Sequence, residues 1–427
     1  MKDIKVAIMG MGTIGSGVYK VIETEGAQIA RNEGVNLSVK YVLAKSYSIP
    51  IPDEKKISTV EEIANDPEIS IVVEVMGGKE PACTFIKTCL KAGKTVVSAN
   101  KDLISQKWEE LESAAREAGT NFYFEASVGG GIPILRAVNE CLQANTMQSI
   151  MGIINGTTNY ILSKMSEEGM DYADALKQAQ EAQELGFAEA NPTSDVDGFD
   201  AMYKLSILSS MAFKRRLTID HIYREGIRDI TAKDIAYAKE LGMCIKLLAI
   251  GKLSDSGEVE LRVHPTMIPY SNPLASVKGS FNAILMHGSA IDDVMFYGRG
   301  AGDLPTASAI VSDIICAAKG SGYRYMRFFD NDVEPLPTTY NTDWECGCYL
   351  RVKVVDKPGI MAKICDIIGT KGVNIASVIQ KDCGSEGETD VVFVLKEARE
   401  SAVSEAIKEI EAADGIIKVV SRIRIEE

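Results

Sequence analysis

Short apolar runs alternate with amphipathic stretches through the first 130 residues. Four runs have the length and β-branched content of buried strands, namely 4–9, 37–45, 69–77 and 95–100. Helical patterns follow the first run and separate the third from the fourth, at 18–26 and 83–92, and a further strand is predicted at 121–128. Buried strands that alternate with helices predict a parallel sheet with right-handed crossovers. We therefore expect residues 1–130 to form an α/β domain with a doubly wound parallel sheet.

The first predicted strand runs directly into a glycine-rich turn. Gly10, Gly12 and Gly15 form a GxGxxG motif that encloses Thr13 and Ile14 and precedes a helical run. In this strand–turn–helix context the glycines allow a tight turn and a close approach of the backbone to a pyrophosphate. The free N–H groups at the helix N-terminus favour such an anion. These five residues are the predicted dinucleotide-binding turn.

The end of the second predicted strand bears on the choice of dinucleotide. Ala44-Lys45-Ser46 stands where an NAD-selective site has an acidic residue for the ribose 2′-hydroxyl. Lys45 suits a 2′-phosphate, which favours NADP and leaves NAD as the second candidate. A solvated lysine at the end of a strand is the other interpretation of the same residue.

The rest of the chain divides into three further parts. After the flexible stretch 129–131, a strand, turn and helix at 150–163 precede helices at 171–185, 199–213 and 231–242 and strands at 245–252 and 258–264. This pattern predicts a second, α+β domain over 131–302 that carries the substrate. Residues 325–348, with two prolines and few aliphatic residues, form a predicted linker. Residues 349–427 follow a β-α-β-β-α-β order, which is typical of a ferredoxin-like domain.

Composition narrows the partners and the compartment. The 427 residues carry a formal net charge of −14, which disfavours nucleic acid and anionic membranes because no basic patch is present. No stretch reaches 18 uninterrupted apolar residues and the N-terminus lacks a signal-peptide pattern, so we expect a cytoplasmic protein. The nine cysteines are scattered through apolar segments and are expected to be reduced core residues.

Four carboxylates and one lysine are gathered between residues 189 and 204. They are Glu189, Asp195, Asp197, Asp200 and Lys204, where a loop containing Pro192 and Gly198 leads into a helix. Asp200 and Lys204 are four residues apart and share one helical face. The spacing fits an exposed ion pair of modest energy, and it equally fits a lysine that points into a cleft as an acid/base controlled by carboxylates.

The stretch ELGFAEANPTSDVDGFDAMYKL resembles the signature of homoserine dehydrogenases, with Asn191 at a position where that family usually has Asp. The resemblance implies a Rossmann-type domain and the NAD(P)H-dependent interconversion of aspartate 4-semialdehyde and homoserine, in the biosynthesis of threonine, methionine and isoleucine. It assigns the proton transfer to Lys204, and substrate binding to Glu189, Asp195 and Asp200. It also places Gly186 at the cofactor.

Other segments carry the same resemblance. The family's NK motif is matched by SANKDLIS, which implies that Lys101 contacts the cofactor and faces the substrate. FYGRGAGDLPTASA implies that Gly302 lies beside the cofactor and that helix 303–320 returns to the first domain. Asp303 by itself predicts only a cap of this helix. EASVGGGIPI resembles a site for sodium or a similar monovalent cation, whose implied ligands are Glu125, Val128, Gly130 and Ile132. In IMGIINGTTNYILS the residues alone predict only a turn and helix cap at Asn155.

The C-terminal segment resembles an ACT domain, a regulatory module that binds small amino acids. The matching details are the turn from Asp356 to Gly359 and the strand start at Asn374-Ile375, which we expect to face each other and to bind L-threonine. The family resemblance implies a homodimer or homotetramer. Two alternatives are another nicotinamide-dependent dehydrogenase with a different small substrate, and a non-catalytic amino-acid sensor.

Overall fold

A computed structural model of the chain describes residues 1–181, 191–320, 338–381 and 387–427. The predicted site residues Gly186 and Glu189 lie outside these described residues, as do the end of the predicted helix 171–185 and most of the predicted linker.

The N-terminal part contains a six-stranded sheet in the order β3-β2-β1-β4-β5-β6, and all of its strand pairs are parallel. The strand order reverses at β1, because β2 and β3 lie on one side of it and β4 to β6 lie on the other, as in a Rossmann fold. The predicted doubly wound sheet is therefore confirmed. Its strands are β1 (Lys2–Met11), β2 (Val35–Tyr47), β3 (Lys56–Ile57), β4 (Ile69–Glu74), β5 (Thr95–Ser98) and β6 (Phe122–Tyr123). Its helices are α1 (Thr13–Glu33), α2 (Val60–Ala64), α3 (Ala82–Lys91) and α4 (Lys101–Glu117).

The middle of the chain builds one half of a second, mixed sheet, in the order β12-β11-β7-β9-β10. The strands are β7 (Met147–Ile153), β8 (Tyr223–Arg224), β9 (Met243–Leu253), β10 (Glu258–Pro269), β11 (Phe281–Gly288) and β12 (Asp292–Arg299), and β8 is a short strand beside β10. The helices are α5 (Ile134–Arg136), α6 (Gly156–Glu168), α7 (Tyr172–Glu181), α8 (Thr193–Val196), α9 (Phe199–Phe213), α10 (Ala232–Glu240) and α11 (Asp303–Lys319).

The C-terminal part has the strand order β15-β16-β14-β17, which is the ferredoxin-like arrangement that the sequence predicts. It consists of β13 (Thr339–Tyr340), β14 (Glu345–Val355), α12 (Ile360–Thr370), β15 (Ile375–Gln380), β16 (Glu388–Arg399), α13 (Glu400–Glu411) and β17 (Ile416–Ile425). Strand β17 also pairs in parallel with β10, so the two halves form one continuous sheet. Strand β14 begins at Glu345, within the stretch 325–348 that the sequence predicts as a linker.

Helix α11 packs against the nucleotide-binding sheet. A Cβ atom on Gly17 of α1 would lie 2.6 Å from the carbonyl oxygen of Asp303, so the glycine permits this close contact. At the other end of α11, Lys2 donates to the carbonyl of Ala318 at 2.7 Å. The suggested capping role of Asp303 is wrong, because Gly302 is the N-cap residue, with a φ of 124° that favours glycine, and Asp303 is the first helical residue.

Two further predictions are corrected by the backbone. The segment after Asn121 is not one strand, because β6 ends at Tyr123 and a 3-10 turn occupies Glu125–Ser127. The two regulatory segments do not face each other within one chain. Val355 at the end of β14 pairs with Glu388, whereas Ile375 at the start of β15 pairs with Leu395. The turn after β14 and the start of β15 therefore lie at opposite ends of α12, about 20 Å apart along β16.

Among the described helices, none is long and apolar enough to cross a lipid bilayer. In the same ranges, no group of three or more His, Cys, Asp or Glu side chains is arranged to hold a metal ion. Most of the described cysteines are at least partly buried, and burial raises the pKa of the Cys346 thiol to about 12.

Candidate active site

A cavity of about 440 Å³ lies between the two α/β parts of the chain. It is lined by the N-terminus of α1, the start of α4, the loop before α6, the α8–α9 segment and the glycine-rich turn before α11. Among its lining residues are Thr13, Ile14, Lys101, Gly130, Asn155, Asp195, Asp200, Lys204 and Gly302. Predicted cofactor and catalytic residues that are distant in sequence therefore share one cavity.

Asp200 holds two lysines at this cavity. Its Oδ2 lies 2.7 Å from Nζ of Lys204, and its Oδ1 lies 3.2 Å from Nζ of Lys101. Lys204 also donates to the carbonyl of Ile154 at 2.8 Å. The Asp200 and Lys204 side chains are only 8% and 10% exposed, which excludes the exposed i,i+4 pair that their spacing also allowed.

The charges of this cluster shift the pKa values of its members. Burial alone would raise the pKa of Asp200, but the ammonium groups of Lys204 and Lys101 outweigh burial and hold this pKa below its usual range. The Asp200 charge in turn raises the pKa of Lys101 against the opposing effect of burial. The carboxyl group of Asp195 has a raised pKa because it is buried and lies near the charge of Asp200.

Asn155 connects the carboxylates to helix α6. Its Nδ2 donates to Asp195 at 2.7 Å and to Asp200 at 2.9 Å, while its Oδ1 accepts from the backbone N–H of Thr158 at 2.9 Å. The cap predicted from sequence is present, and the two carboxylate contacts were missed. The amide of Asn155 joins segments that are far apart in sequence, so a local pattern could not predict these contacts. The resemblance of the segment NGTTNYIL to the family was the signal that marked Asn155.

A buried network fixes the position of Lys101. Glu74 at the end of β4 accepts from the hydroxyl of Ser98 at 2.6 Å, and the Ser98 oxygen accepts from the backbone N–H of Asn100 at 3.1 Å. Asn100 caps α4 by accepting from the N–H of Leu103 and donates to the carbonyl of Gly78 at 2.7 Å. The first residue of α4 is Lys101. Sequence reasoning did not single out Glu74, which looks like one acidic residue in an apolar strand.

The glycine-rich turn has the shape that a dinucleotide requires. Gly10 has a φ of 103°, and a Cβ atom there would lie 2.6 Å from the carbonyl oxygen of Val75. A Cβ on Gly15 would overlap the carbonyl of Gly10, whereas a Cβ on Gly12 would meet no atom within 4 Å. Gly10 and Gly15 are thus needed for the turn itself, whereas Gly12 leaves open space at the N-terminus of α1. The residues present fit a bound pyrophosphate.

Lys45, a predicted cofactor residue, does not line the cavity. It is exposed near the end of β2, which continues to Tyr47. No described contact assigns it to a ligand or to a neighbouring side chain.

The predicted cation ligands lie in the 3-10 turn and loop before α5. The buried Glu125 carboxylate accepts from the backbone N–H groups of Leu135 and Arg136 at 2.9 and 2.7 Å. The Ile132 carbonyl accepts from the N–H of Ile134 at 2.8 Å. Gly130 has a φ of 56° and lines the cavity. Carboxylate and carbonyl oxygens are the ligand type that a hard cation prefers.

A Rossmann-type sheet whose open glycine turn shares a cavity with two lysines and buried carboxylates defines a nicotinamide-dependent oxidoreductase. Comparison with known proteins agrees. Three family models match the chain: "Homoserine dehydrogenase, NAD binding domain" over residues 10–125, "Homoserine dehydrogenase" over 133–315 and "ACT domain" over 349–412.

Individual relatives point to the same family. Homoserine dehydrogenase of Pseudomonas aeruginosa is 38% identical over 436 residues, covering 100% of both chains. The crystal structure of a homoserine dehydrogenase from Thiobacillus denitrificans has a TM-score of 0.91 at 36% identity, covering 100% of this chain and 99% of that one. A hyperthermophilic archaeal homoserine dehydrogenase in complex with NADPH has a TM-score of 0.63 at 28% identity, covering 76% and 100%. The chain belongs to the homoserine dehydrogenase family and is an NAD(P)-dependent oxidoreductase.

Proposed function

We propose that the chain interconverts L-homoserine and L-aspartate 4-semialdehyde, as a step in threonine, methionine and isoleucine biosynthesis. The observation that supports this most directly is the pair of lysines that share Asp200 in a cavity reaching the N-terminus of α1. When bound, the nicotinamide supplies the hydride chemistry at the carbon that carries the oxygen.

In this proposal the proton is handled by Lys204. Its ammonium group donates a proton to the carbonyl oxygen when the aldehyde is reduced, and the neutral amine that is left takes the hydroxyl proton when homoserine is oxidised. The hydrogen bonds to Asp200 and to the Ile154 carbonyl fix Nζ against the cavity wall. Lys101, whose pKa is raised chiefly by the Asp200 charge, remains an ammonium group and stabilises negative charge on the reacting oxygen.

The carboxylates select an amino-acid substrate. Asp200 orients Lys204 and contacts the substrate, and Asp195, held 2.7 Å from Asn155, supports the same face of the cavity. Glu189, which lies outside the described residues, binds the substrate amino group. An ammonium group gains most where carboxylates are partly buried and already oriented.

NADP is the proposed preferred cofactor, with Lys45 as the residue that meets the 2′-phosphate. The support is the exposed position of Lys45 near the end of β2 and the NADPH bound by the archaeal relative. Gly10, Gly12, Thr13, Ile14, Gly15, Gly186 and Gly302 are the other proposed cofactor contacts.

A monovalent cation, sodium in the first instance, is proposed for the oxygens of Glu125, Val128, Gly130 and Ile132. The site adjoins the catalytic cavity through Gly130, so a cation there would brace the loop between the two parts. The proposal is tested by comparing the thermal stability and the rate in sodium, in potassium and in a bulky organic cation. Equal values in all three salts would overturn it.

The ACT domain is proposed to bind L-threonine and thereby inhibit the enzyme. Since Asp356 and Gly359 lie at the opposite end of α12 from Asn374 and Ile375, a ligand that touches both pairs would have to lie between two copies of the module. This requirement agrees with a homodimer or homotetramer, which we also propose, in the cytoplasm.

The function is tested by following reduced nicotinamide while the purified chain is given L-homoserine with NADP⁺ or NAD⁺. We expect turnover with L-homoserine and little with L-serine or with D-homoserine. No hydride transfer to either dinucleotide would overturn the proposal, and equal rates with all three hydroxy amino acids would favour a dehydrogenase of broader specificity.

A further inference from the structure

The last strand of the ACT domain brings a buried arginine to the catalytic part of the chain. The Arg424 side chain on β17 is 1% exposed and lies 2.6 Å from the carboxylate of Glu225. It also donates to the hydroxyl of Tyr223 at 2.7 Å, and it lies 2.8 Å from Glu400 in its own domain. Arg424 therefore connects residues on both sides of the junction between the two halves of the mixed sheet.

The segment that Arg424 contacts, residues 223–228, interlocks with residues 193–198. The backbone N–H of Ile227 donates to the Val196 carbonyl at 2.8 Å. Arg224 donates to the backbone carbonyl of Asp197, and Arg228 forms an ion pair with its carboxylate. These contacts bind one face of residues 193–198 to segment 223–228.

Two glycines make the interlock tight. A Cβ atom on Gly226 would overlap the Val196 carbonyl oxygen and lie 2.7 Å from Cα of Asp197. Gly198 has a φ of 81°, and a Cβ there would lie 3.4 Å from Cγ of Arg224. Because close-packed backbone cannot slide freely, a shift of segment 223–228 must move residues 193–198 as well.

Residues 193–198 determine where the catalytic carboxylates lie. Asp195 is in α8, and Gly198 is the N-cap of α9, the helix that carries Asp200 and Lys204. The Arg224 guanidinium also lies 3.6 Å from the ring centroid of Phe199, the first residue of α9. The start of the catalytic helix is thus held directly by the segment that Arg424 contacts.

We propose that Arg424 is a positioning residue for the dehydrogenase reaction, which it serves through Glu225 and segment 223–228. Arg424 does not line the catalytic cavity, so its effect on chemistry is indirect. The regulatory domain then contributes to the geometry of the active site even without an effector. The inference rests on the proposed roles of Asp200 and Lys204.

The test measures homoserine oxidation by Arg424→Met, Glu225→Gln and the double variant in the full-length protein. Arg424→Met leaves the Glu225 carboxylate without this arginine, and Glu225→Gln leaves the buried Arg424 with Glu400 as its remaining carboxylate partner at this junction. We expect kcat to fall by about tenfold in each single variant, and the double variant to lose no more than the worse single variant. NADPH affinity should stay within about twofold, because the α1 turn is unaffected.

Arg422→Met is the matched control. Arg422 is on the same strand and pairs with Glu400 at 2.8 Å, and its described polar contacts stay within the ACT domain. It should retain kcat within about twofold of wild type. An equal loss in Arg422→Met would overturn the inference, because general damage to the ACT domain would then explain the effect.

Further outcomes also test the role of Arg424. Arg424→Met or Glu225→Gln with wild-type kcat would overturn the inference, as would fully additive losses. Should Arg424→Met fail to fold, Glu225→Gln, at a side chain that is 40% exposed, decides alone. Arg424→Lys should recover part of the activity. A wild-type protein without turnover would refute the proposed function itself, and the two failures are therefore distinguishable.

Discussion

Nζ of Lys101 lies 3.2 Å from Oδ1 of Asp200, although one residue begins a helix of the nucleotide-binding part and the other lies in α9 of the middle part. The ion pair crosses the cavity at the place where the two parts meet. Asp200 therefore serves two lysines at once, Lys101 through one oxygen and Lys204 through the other. The charge of Asp200 is the feature on which the first prediction rests.

Asp200→Asn removes this shared charge. We expect kcat for homoserine oxidation to fall by about 100-fold, with NADPH affinity nearly unchanged. The Asp200 charge is the main cause of the raised pKa of Lys101, so this pKa falls in the variant. A rate that needs protonated Lys101 is then lost at lower pH than in wild type. A pH–rate profile whose alkaline limb does not move would contradict the assignment.

Gly12→Ala and Gly10→Ala separate cofactor binding from folding. The new methyl group at residue 12 meets no atom within 4 Å, so the free energy of unfolding should change by less than about 0.5 kcal/mol. NADPH affinity should drop, because the backbone can no longer approach the phosphates. At residue 10 the positive φ and the contact with Val75 should destabilise the fold. Denaturation and NADPH titration of both variants test this. A stable Gly12→Ala protein with wild-type affinity would place the pyrophosphate elsewhere.

Lys45→Glu should weaken NADPH much more than NADH, because the new carboxylate repels the 2′-phosphate. Lys45→Gln, which removes the charge without reversing it, should have a smaller effect in the same direction. Fluorescence titration with both dinucleotides gives the comparison. If both cofactors weaken equally, Lys45 does not face the adenosine ribose.

Local patterns in the sequence predicted helices and strands well where the structure of the element depends mainly on its own residues. The predicted helix 199–213 has the observed limits, and the strand–turn–helix at Gly10 to Gly15 is as expected. Periodicity and glycine positions are local properties, so they can be read from a single sequence.

Features that depend on distant segments could not be predicted in this way. The i,i+4 spacing of Asp200 and Lys204 is the same whether the pair is exposed or buried, and burial is decided by Asn155, Lys101 and the cavity. The opposite placement of Asp356 and Asn374 follows from the register of β14, β15 and β16. The contact between Arg424 and Glu225 joins residues 199 positions apart.

Threonine should inhibit the full-length enzyme, and Asn374→Ala should reduce its effect without changing uninhibited turnover. The coupling expected for an effector of this kind is about 1–3 kcal/mol, or roughly 5- to 150-fold in apparent affinity. Titration of the rate and of the oligomeric state with threonine, and with isoleucine and methionine as comparison ligands, checks this. Inhibition that persists unchanged in Asn374→Ala would move the effector site away from the start of β15.

The central claim is that Lys204 transfers the proton, and the most direct measurement is kcat of Lys204→Ala with L-homoserine, together with its NADPH affinity. Lys164→Ala is the control, since it breaks an i,i+4 lysine–glutamate pair at the helix surface on α6. We predict that Lys204→Ala binds NADPH almost normally, that its turnover falls by far more than tenfold and is partly restored by a small exogenous amine, and that Lys164→Ala behaves as wild type. Turnover above about a tenth of wild type would mean that less than ~1.4 kcal/mol of transition-state stabilisation was lost, and that result would contradict the assignment.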